Sequence, residues 1–121
     1  MKNNLISIII PTYKRVIKLK KALNSILKQK YYNWEAIIID NKSNDGTKEL
    51  VKEYNDKIFF YEIENNGIIA KSRNFGISKA KGSYLSFLDS DDWWTLDKLE
   101  KTNEYINKGY SFLYHDMYVV K

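Results

Sequence analysis

The sequence contains no cysteine and a single histidine, His115. Without thiols the chain cannot hold a disulfide scaffold, a thiolate zinc site, an iron–sulfur cluster or a cysteine nucleophile, and a reducing compartment fits this composition. One imidazole also excludes a histidine-rich metal site, so any metal must be held by oxygen ligands. We expect His115 itself to be structural rather than catalytic.

Long apolar runs and a concentration of arginine are missing as well. No run approaches the roughly 20 apolar residues that cross a bilayer, and the N-terminus lacks the apolar core of a signal peptide, so we expect a cytoplasmic chain. The net charge is +5, but only two of the 20 basic residues are arginines, Arg15 and Arg73. Lysines spread along the chain predict a solubilising surface and no nucleic-acid partner.

What is present is the composition of one folded domain. The chain has 121 residues, of which 44% are hydrophobic and 15% aromatic. This is a usual size for a single domain, and so high an aromatic content disfavours disorder. We therefore expect residues 1–121 to fold as one domain.

Short apolar runs alternate with segments of helical periodicity along the chain. The predicted strands are Leu5–Ile10, Trp34–Ile39, Ile58–Ile63 and Tyr84–Leu88, with a closing strand over Tyr110–Val120. Four helices are predicted. The first runs from Val16 to near Lys30, and the second covers Lys48–Tyr54. The third covers Ile69–Ala80 with Gly82 as its C-terminal cap, and the fourth runs from an N-cap at Thr95 to about Asn107. Because the first two strands are apolar on both faces, they indicate a parallel sheet between layers of helices. The sequence therefore predicts an α/β fold with its ligand crevice at the carboxyl ends of the strands.

Three carboxylates follow the fourth predicted strand, those of Asp89, Asp91 and Asp92. They would lie at the rim of the crevice, where a divalent ion such as Mg²⁺ takes one or two carboxylates together with substrate phosphates. The alternative is that Asp89 or Asp92 caps the next helix while the other carboxylates are solvated.

Further polar and aromatic residues are predicted at the same edge. Asp40 ends the second strand, where it would either hydrogen-bond a ligand or open an Asx-turn over residues 43–46, and both roles remain open. Arg73 offers paired donors suited to phosphate or a base edge, or else it pairs with a carboxylate. Trp93 and Trp94 have the chemistry to stack on a sugar or base, although aromatic residues at a loop–helix junction more often belong to the core.

Four segments of the chain, taken in order, resemble the signature of the family 2 glycosyltransferases. They are Ser7–Tyr13, Asp40–Thr47, Ser72–Ile77 with Ala80–Gly82, and Phe87–Asp92. The resemblance implies the GT-A fold, with a three-layer Rossmann-like nucleotide-binding half whose mostly parallel sheet is flanked by helices. It also implies inverting transfer of a sugar from a nucleotide-diphosphate donor to an acceptor hydroxyl, with Mg²⁺ or Mn²⁺ as cofactor.

The resemblance further implies roles for single residues. The implied nucleotide-sugar site has Pro11, Thr12 and Tyr13 around the nucleoside, Asp40 and Asn41 near the base or ribose, Arg73 facing the nucleotide, and Asp89 and Ser90 along the ribose and diphosphate. Asp91, together with Asp89, matches the acidic position that holds the metal on the diphosphate.

Two departures from the family pattern leave the identity of the donor open. Position 14 is Lys where Asn is common, and Asn41 stands where many relatives carry an Asp that recognises uracil. Because an amide both donates and accepts, uridine and thymidine nucleotides stay open and guanosine is less favoured.

Length is a third departure, since family members usually continue into an acceptor-binding half whose Asp or Glu deprotonates the acceptor hydroxyl. We therefore expect residues 1–121 to be a donor-binding domain truncated before that half and inactive alone, with the general base beyond Lys121. Asp116 is the candidate base within the chain. The expected acceptor is a glycan or a lipid-linked molecule of polysaccharide biosynthesis, and we expect the parent enzyme to associate peripherally with the inner face of a membrane.

Two other functions compete with this prediction. A non-catalytic nucleotide-sugar-binding module would keep the nucleotide loops and lack a base, which is what the sequence of residues 1–121 offers. A phosphoacceptor receiver domain has a similar size, but its acidic pair should follow the first strand. Here that strand ends in Pro11-Thr12-Tyr13, which disfavours a receiver.

Overall fold

Strands and helices alternate strictly in the computed structural model, which describes residues 2–110. The elements are β1 (Ile6–Thr12), α1 (Val16–Leu27), β2 (Trp34–Asp40), α2 (Thr47–Val51), β3 (Ile58–Glu62), α3 (Ile69–Lys79), β4 (Tyr84–Phe87) and α4 (Lys98–Asn107). In this part of the chain no helix is long and apolar enough to cross a membrane. The predicted closing strand begins at Tyr110, which is in no element, and otherwise lies outside the described residues.

The four strands form one parallel sheet in the order β3-β2-β1-β4. The predicted α/β fold with a parallel sheet is therefore confirmed. β1 extends beyond its predicted end through Pro11 to Thr12, because its pairing with β2 continues to Asp40 while its pairing with β4 stops at Ile9. The alternation of backbone groups puts the Pro11 nitrogen on the β4 side, where no ladder bond is lost.

Helices cover both faces of the sheet. On one face, Ile6, Ile8 and Ile10 of β1 pack with the apolar sides of α1 and α4. On the other face, α3 lies against Ile9 of β1 and two isoleucines of β2. This close packing requires Gly76, because a Cβ atom there would lie 2.8 Å from Cγ2 of Ile9.

The prediction that Thr95 caps the last helix is wrong. α4 begins at Lys98 with Asp97 as its N-cap residue, and a distant side chain, that of Gln29, bonds one of its first N–H groups. The Oε1 atom of Gln29 accepts the Leu99 N–H at 3.0 Å, while Nε2 donates to the Thr95 carbonyl at 2.6 Å. Neither Asp89 nor Asp92 caps this helix. α1 ends at Leu27 instead of near Lys30, with Lys28 as its C-cap residue.

Gly82 is not the C-terminal cap of α3 either. That helix ends at Lys79, and its C-cap residue, Ala80, is extended. Gly82 is required for a close approach: its N–H donates to Ser7 Oγ at 2.8 Å, and a Cβ atom would lie 2.7 Å from the Leu5 carbonyl oxygen.

A network of side-chain amides joins the N-terminal segment to α4. The Asn4 backbone N–H and Nδ2 both donate to Asn103 Oδ1, at 3.1 and 2.9 Å. Asn103 Nδ2 in turn donates to the Lys2 carbonyl at 3.0 Å. Both asparagines are buried, so these hydrogen bonds satisfy groups that water does not reach.

Candidate functional site

The candidate site lies where the carboxyl ends of β1, β2 and β4 meet, at one edge of the parallel sheet. At the end of β1, Thr12 is buried and Tyr13 is 48% exposed. Within the described part of the chain, the Thr12 hydroxyl has no hydrogen-bond partner. A buried hydroxyl without a partner is costly, so this atom is suited to meet a bound ligand.

Asp40, at the end of β2, is almost fully buried and organises the neighbouring loop. Its carboxylate accepts the Ser43 N–H at 3.0 Å and also the Ser43 hydroxyl hydrogen. Ser43 Oγ accepts the Lys14 N–H at 2.7 Å, which links the loops after β1 and β2. Burial raises the pKa of Asp40, while the two bonds from Ser43 act in the opposite direction. Asp40 therefore holds the loop through the third residue after it, and not through the bond two residues on that defines an Asx-turn.

Asn41 belongs to a network that includes a residue missed by the sequence analysis, Asn65. Asn41 Oδ1 accepts the Asn65 N–H at 2.9 Å. Asn65 is buried, and its amide donates to Ser72 Oγ of α3 at 2.9 Å and accepts the Gly67 N–H at 2.8 Å. The side-chain oxygen of Asn41, Oδ1, is thus engaged, and its side-chain nitrogen, Nδ2, is left to contact a ligand. The Asn65-Asn66-Gly67 sequence signals a turn, but not this contact.

Both arginines of the chain reach the acidic loop after β4. Arg15 Nη1 donates to Asp91 Oδ2 at 2.8 Å, and Arg73 Nη2 lies 3.5 Å from Asp89 Oδ1. All four side chains are between 43% and 62% exposed. Sequence reasoning singled out Arg73 and missed Arg15, although the scarcity of arginine in the chain was a signal that applied to both.

A cleft of about 420 Å³ opens beside these ion pairs. Its lining residues are Arg73, Phe87, Leu88, Asp89, Asp92 and Trp94. Trp94 also packs against the core, as expected of a junction aromatic, whereas Trp93 is 52% exposed. Ser90, within the loop after β4, is buried.

Lys98 lies beside the cleft, with Nζ 5.2 Å from the centroid of the Trp94 ring. Burial lowers the pKa of Lys98 to about 8, and the nearby carboxylate of Asp92 partly opposes this shift. The lining of the cleft therefore includes Arg73, Asp89 and Asp92, and Lys98 stands against its Trp94 ring.

The side chains present suit an ion that draws most of its ligands from a substrate. In residues 2–110, no three His, Cys, Asp or Glu side chains are grouped so as to enclose a metal. Asp89 and Asp91 supply exposed carboxylate oxygens, which are hard donors that fit Mg²⁺ or Mn²⁺ with phosphate and water completing the shell. The candidate base Asp116, like His115, lies outside the described residues.

Sequence comparison finds relatives over almost the whole chain. Residues 7–121 match the family profile described as Glycosyl transferase family 2. The chain is 36% identical over 123 residues to TuaG of Bacillus subtilis, a glycosyltransferase assigned to teichuronic acid biosynthesis, covering 93% of this chain and 49% of that protein. It is 34% identical over 122 residues to WfgD of Escherichia coli, a UDP-Glc:α-D-GlcNAc-diphosphoundecaprenol β-1,3-glucosyltransferase, covering 99% of this chain and 48% of that protein.

Structure comparison agrees. Residues 1–349 of S. aureus TarS in complex with UDP share 30% sequence identity with the chain and superpose with a TM-score of 0.80, covering 85% of this chain and 32% of that chain. The same TarS segment is also known in complex with UDP-GlcNAc. The chain spans about half the length of the curated relatives it matches.

Proposed function

The chain belongs to glycosyl transferase family 2, and from this premise we propose that it binds the nucleotide-sugar donor of an inverting, divalent-metal-dependent glycosyltransferase. Its parallel sheet flanked by helices has the GT-A fold. The observation that carries the proposal is the pairing of two exposed arginines with two exposed aspartates at the carboxyl edge of β4.

A diphosphate is the ligand that this group of charges is suited to bind. Guanidinium groups donate paired hydrogen bonds to phosphate oxygens. Because an exposed ion pair contributes only about 0–1 kcal/mol, the Arg15–Asp91 and Arg73–Asp89 pairs open at small cost when a phosphate competes for the arginines. The same donors would stabilise the negative charge that develops on the diphosphate as its bond to the sugar breaks.

The carboxylates freed by this exchange, those of Asp89 and Asp91, are the groups that would hold Mg²⁺ or Mn²⁺. Such an ion, when bound, neutralises the leaving diphosphate. Two carboxylates alone make a weak site, which supports an ion that binds together with the donor.

The nucleoside is proposed to lie over the ends of β1 and β2. The buried Thr12 hydroxyl would gain its missing hydrogen bond there, and the half-exposed Tyr13 ring offers an apolar face. Asn41 would donate from its amide nitrogen to the base, while Asp40 holds the loop through Ser43. The UDP-sugar in the name of WfgD and the UDP complexes of TarS support a uridine donor.

The acceptor and the general base are proposed to belong to an acceptor-binding half beyond Lys121, with Asp116 as the candidate base within the chain. The acceptor named for WfgD is a lipid-linked diphosphate, which supports a glycan or lipid-linked acceptor. The proposed place of the parent enzyme is the inner face of a membrane.

One observation favours a second candidate, a non-catalytic nucleotide-sugar-binding module. Three of the four aspartates described at the site edge are engaged by other side chains: Asp40 by Ser43, and Asp89 and Asp91 by the arginines. The fourth, Asp92, accepts the Trp93 N–H at 3.2 Å, so each of the four already has a partner. Acceptor-dependent turnover, treated in the Discussion, separates the two candidates.

Calorimetric titration with UDP, with and without Mn²⁺, tests the donor site. We expect Mn²⁺ to tighten UDP binding by about tenfold or more, and we expect Asp91→Asn to abolish this effect. Asp56→Asn, an exposed change next to the start of β3, is the matched control and should keep it. A UDP affinity that does not respond to Mn²⁺, or an Asp91 variant that behaves like the parent, would contradict the assignment.

A further inference from the structure

The positive charge of the chain is concentrated at one end of the sequence. The first 34 residues contain eight basic residues and no Asp or Glu, whereas the remainder holds 12 basic and 15 acidic residues. Lysines are spread along the chain, but only in the first 34 residues are they unopposed by acidic residues. Five of the eight cations lie on α1 or directly beside it, namely Arg15, Lys18, Lys20, Lys21 and Lys28.

The lysines of α1 share its exposed face with a large apolar side chain, that of Ile17. The opposite face of the helix is buried in the core through Leu19, Leu23 and Ile26. With 100° of rotation per residue, Ile17 lies at the centre of the exposed face, and this apolar side chain is 83% exposed. We call this surface the basic face of α1; its members are Ile17, Lys18, Lys20, Lys21 and Lys28, all exposed.

Two further apolar side chains border the basic face of α1. Trp93 is 52% exposed, and Lys21 Nζ lies 5.2 Å from the centroid of its ring. Leu96 is also 52% exposed, and its carbonyl accepts the Lys30 N–H at the far end of the helix. Lysines interspersed with an exposed aliphatic residue and a tryptophan are typical of surfaces that lie in a membrane interface.

We propose that the basic face of α1, together with Trp93 and Leu96, docks on an anionic phospholipid surface. The lysines complement the charge of the headgroups, and Ile17 and the two neighbouring apolar side chains enter the boundary between headgroups and acyl chains. A nucleic acid fits less well, because this surface places an isoleucine, with neither donor nor acceptor, at the centre of its charge.

Docking in this way has a consequence for the site. The chain enters α1 directly after Arg15, which is paired with Asp91 at the candidate site. The membrane would therefore lie beside the edge of the candidate site, and an acceptor anchored in that membrane could reach the site. Only this consequence rests on the proposed function; the docking surface stands on the charge and exposure of α1.

Vesicle flotation with the whole chain tests the docking surface. We expect binding to phosphatidylcholine vesicles that contain about 30% phosphatidylglycerol, no binding to pure phosphatidylcholine, and loss of binding at about 0.5 M salt. The triple variant K18Q/K21Q/K28Q should weaken the partition coefficient on the order of 100-fold. Its matched control, K48Q/K52Q/K71Q, removes the same charge from α2, its C-terminal boundary and α3 and should stay within about threefold of the parent. Ile17→Ser should weaken binding by about fivefold.

Three outcomes would overturn the proposal: no preference for anionic vesicles, an equal loss in the control triple, or displacement from vesicles by an equal charge concentration of duplex DNA. UDP titration of K18Q/K21Q/K28Q distinguishes this proposal from the proposed function. Unchanged UDP binding with lost vesicle binding is the expected result. All the substituted side chains are exposed, and circular dichroism of each variant verifies the fold.

Discussion

Replacing Gly76 with alanine tests how closely α3 must approach the sheet. A Cβ atom there would lie 2.6 Å from Cδ1 of Ile39 and 2.8 Å from Cγ2 of Ile9. The Ile39 methyl group ends a flexible side chain and can rotate away. Ile9 Cγ2 cannot, because it is attached to the Cβ of a fully buried residue in an inner strand of the sheet. Most of the cost therefore arises at Ile9.

The expected magnitude follows from two opposing effects. Overpacking of this kind costs about 1–3 kcal/mol. Alanine in place of glycine inside a helix returns about 1 kcal/mol. The difference is about 0–2 kcal/mol, so we expect Gly76→Ala to lower the free energy of unfolding by about 1 kcal/mol, and Tm by about 3–6 °C. Because α3 carries Ser72 and Arg73, its displacement should also weaken UDP binding.

Urea unfolding followed by circular dichroism measures this loss. Ser78→Ala, at an exposed position of the same helix, is the control and should stay within about 0.5 kcal/mol of the parent. Ile9→Ala removes the opposing methyl group, so the double variant should recover about 1 kcal/mol relative to the sum of the single changes. A Gly76→Ala protein at least as stable as the parent, or a double variant without this coupling, would refute the reasoning.

Three further predictions concern the base, pH and turnover. UDP and TDP should bind within about tenfold of each other in calorimetric titrations. Asn41→Asp should tighten UDP binding about fivefold, because a carboxylate can accept the uracil N–H while keeping its bond to Asn65. A preference of the parent for one of the two nucleotides by several hundredfold would contradict this prediction. The pKa of Lys98 is lowered from 10.5 to about 8, so the unfolded state binds more protons between these pH values and the free energy of unfolding should rise with pH across that window. Lys98→Met should flatten this rise in urea titrations, and an unchanged slope would count against the burial argument. The chain alone should show no acceptor-dependent release of UDP from a UDP-sugar, because it lacks the positioned base that contributes a factor of about 10²–10⁴ to the rate of transfer. Acceptor-dependent turnover that Asp116→Asn removes would identify Asp116 as the base.

Elements fixed by local apolar periodicity could be predicted from the sequence. β2 is buried at every position, and α1 repeats buried residues three and four apart, so each pattern identifies its element without knowledge of its neighbours. The caps could not be predicted in this way. The start of α4 depends on Gln29, and the need for glycine at position 82 depends on Ser7 and Leu5, which are distant in sequence.

The site was predictable in its location more than in its contacts. Parallel strands bring their carboxyl ends to one edge, so Asp40 and Asp89 could be placed there from the strand order alone. The partner of Asp91 could not, because Arg15 lies 76 positions away and meets it only through two loops. Asn65 was missed for the same reason, since its bonds to Asn41 and Ser72 form only once three segments have converged.

The amide network between the N-terminal segment and α4 affects how the chain can fold during its synthesis. Asn4 and Asn103 lie 99 positions apart, and β1 has β4 as its second neighbour in the sheet. A chain emerging from the ribosome therefore carries β1 with one unpaired edge throughout the translation of β2 and β3. Contacts so distant in sequence favour slow folding, and an open apolar edge favours aggregation. We expect nascent chains that end before β4 to depend on chaperones until that strand has been made.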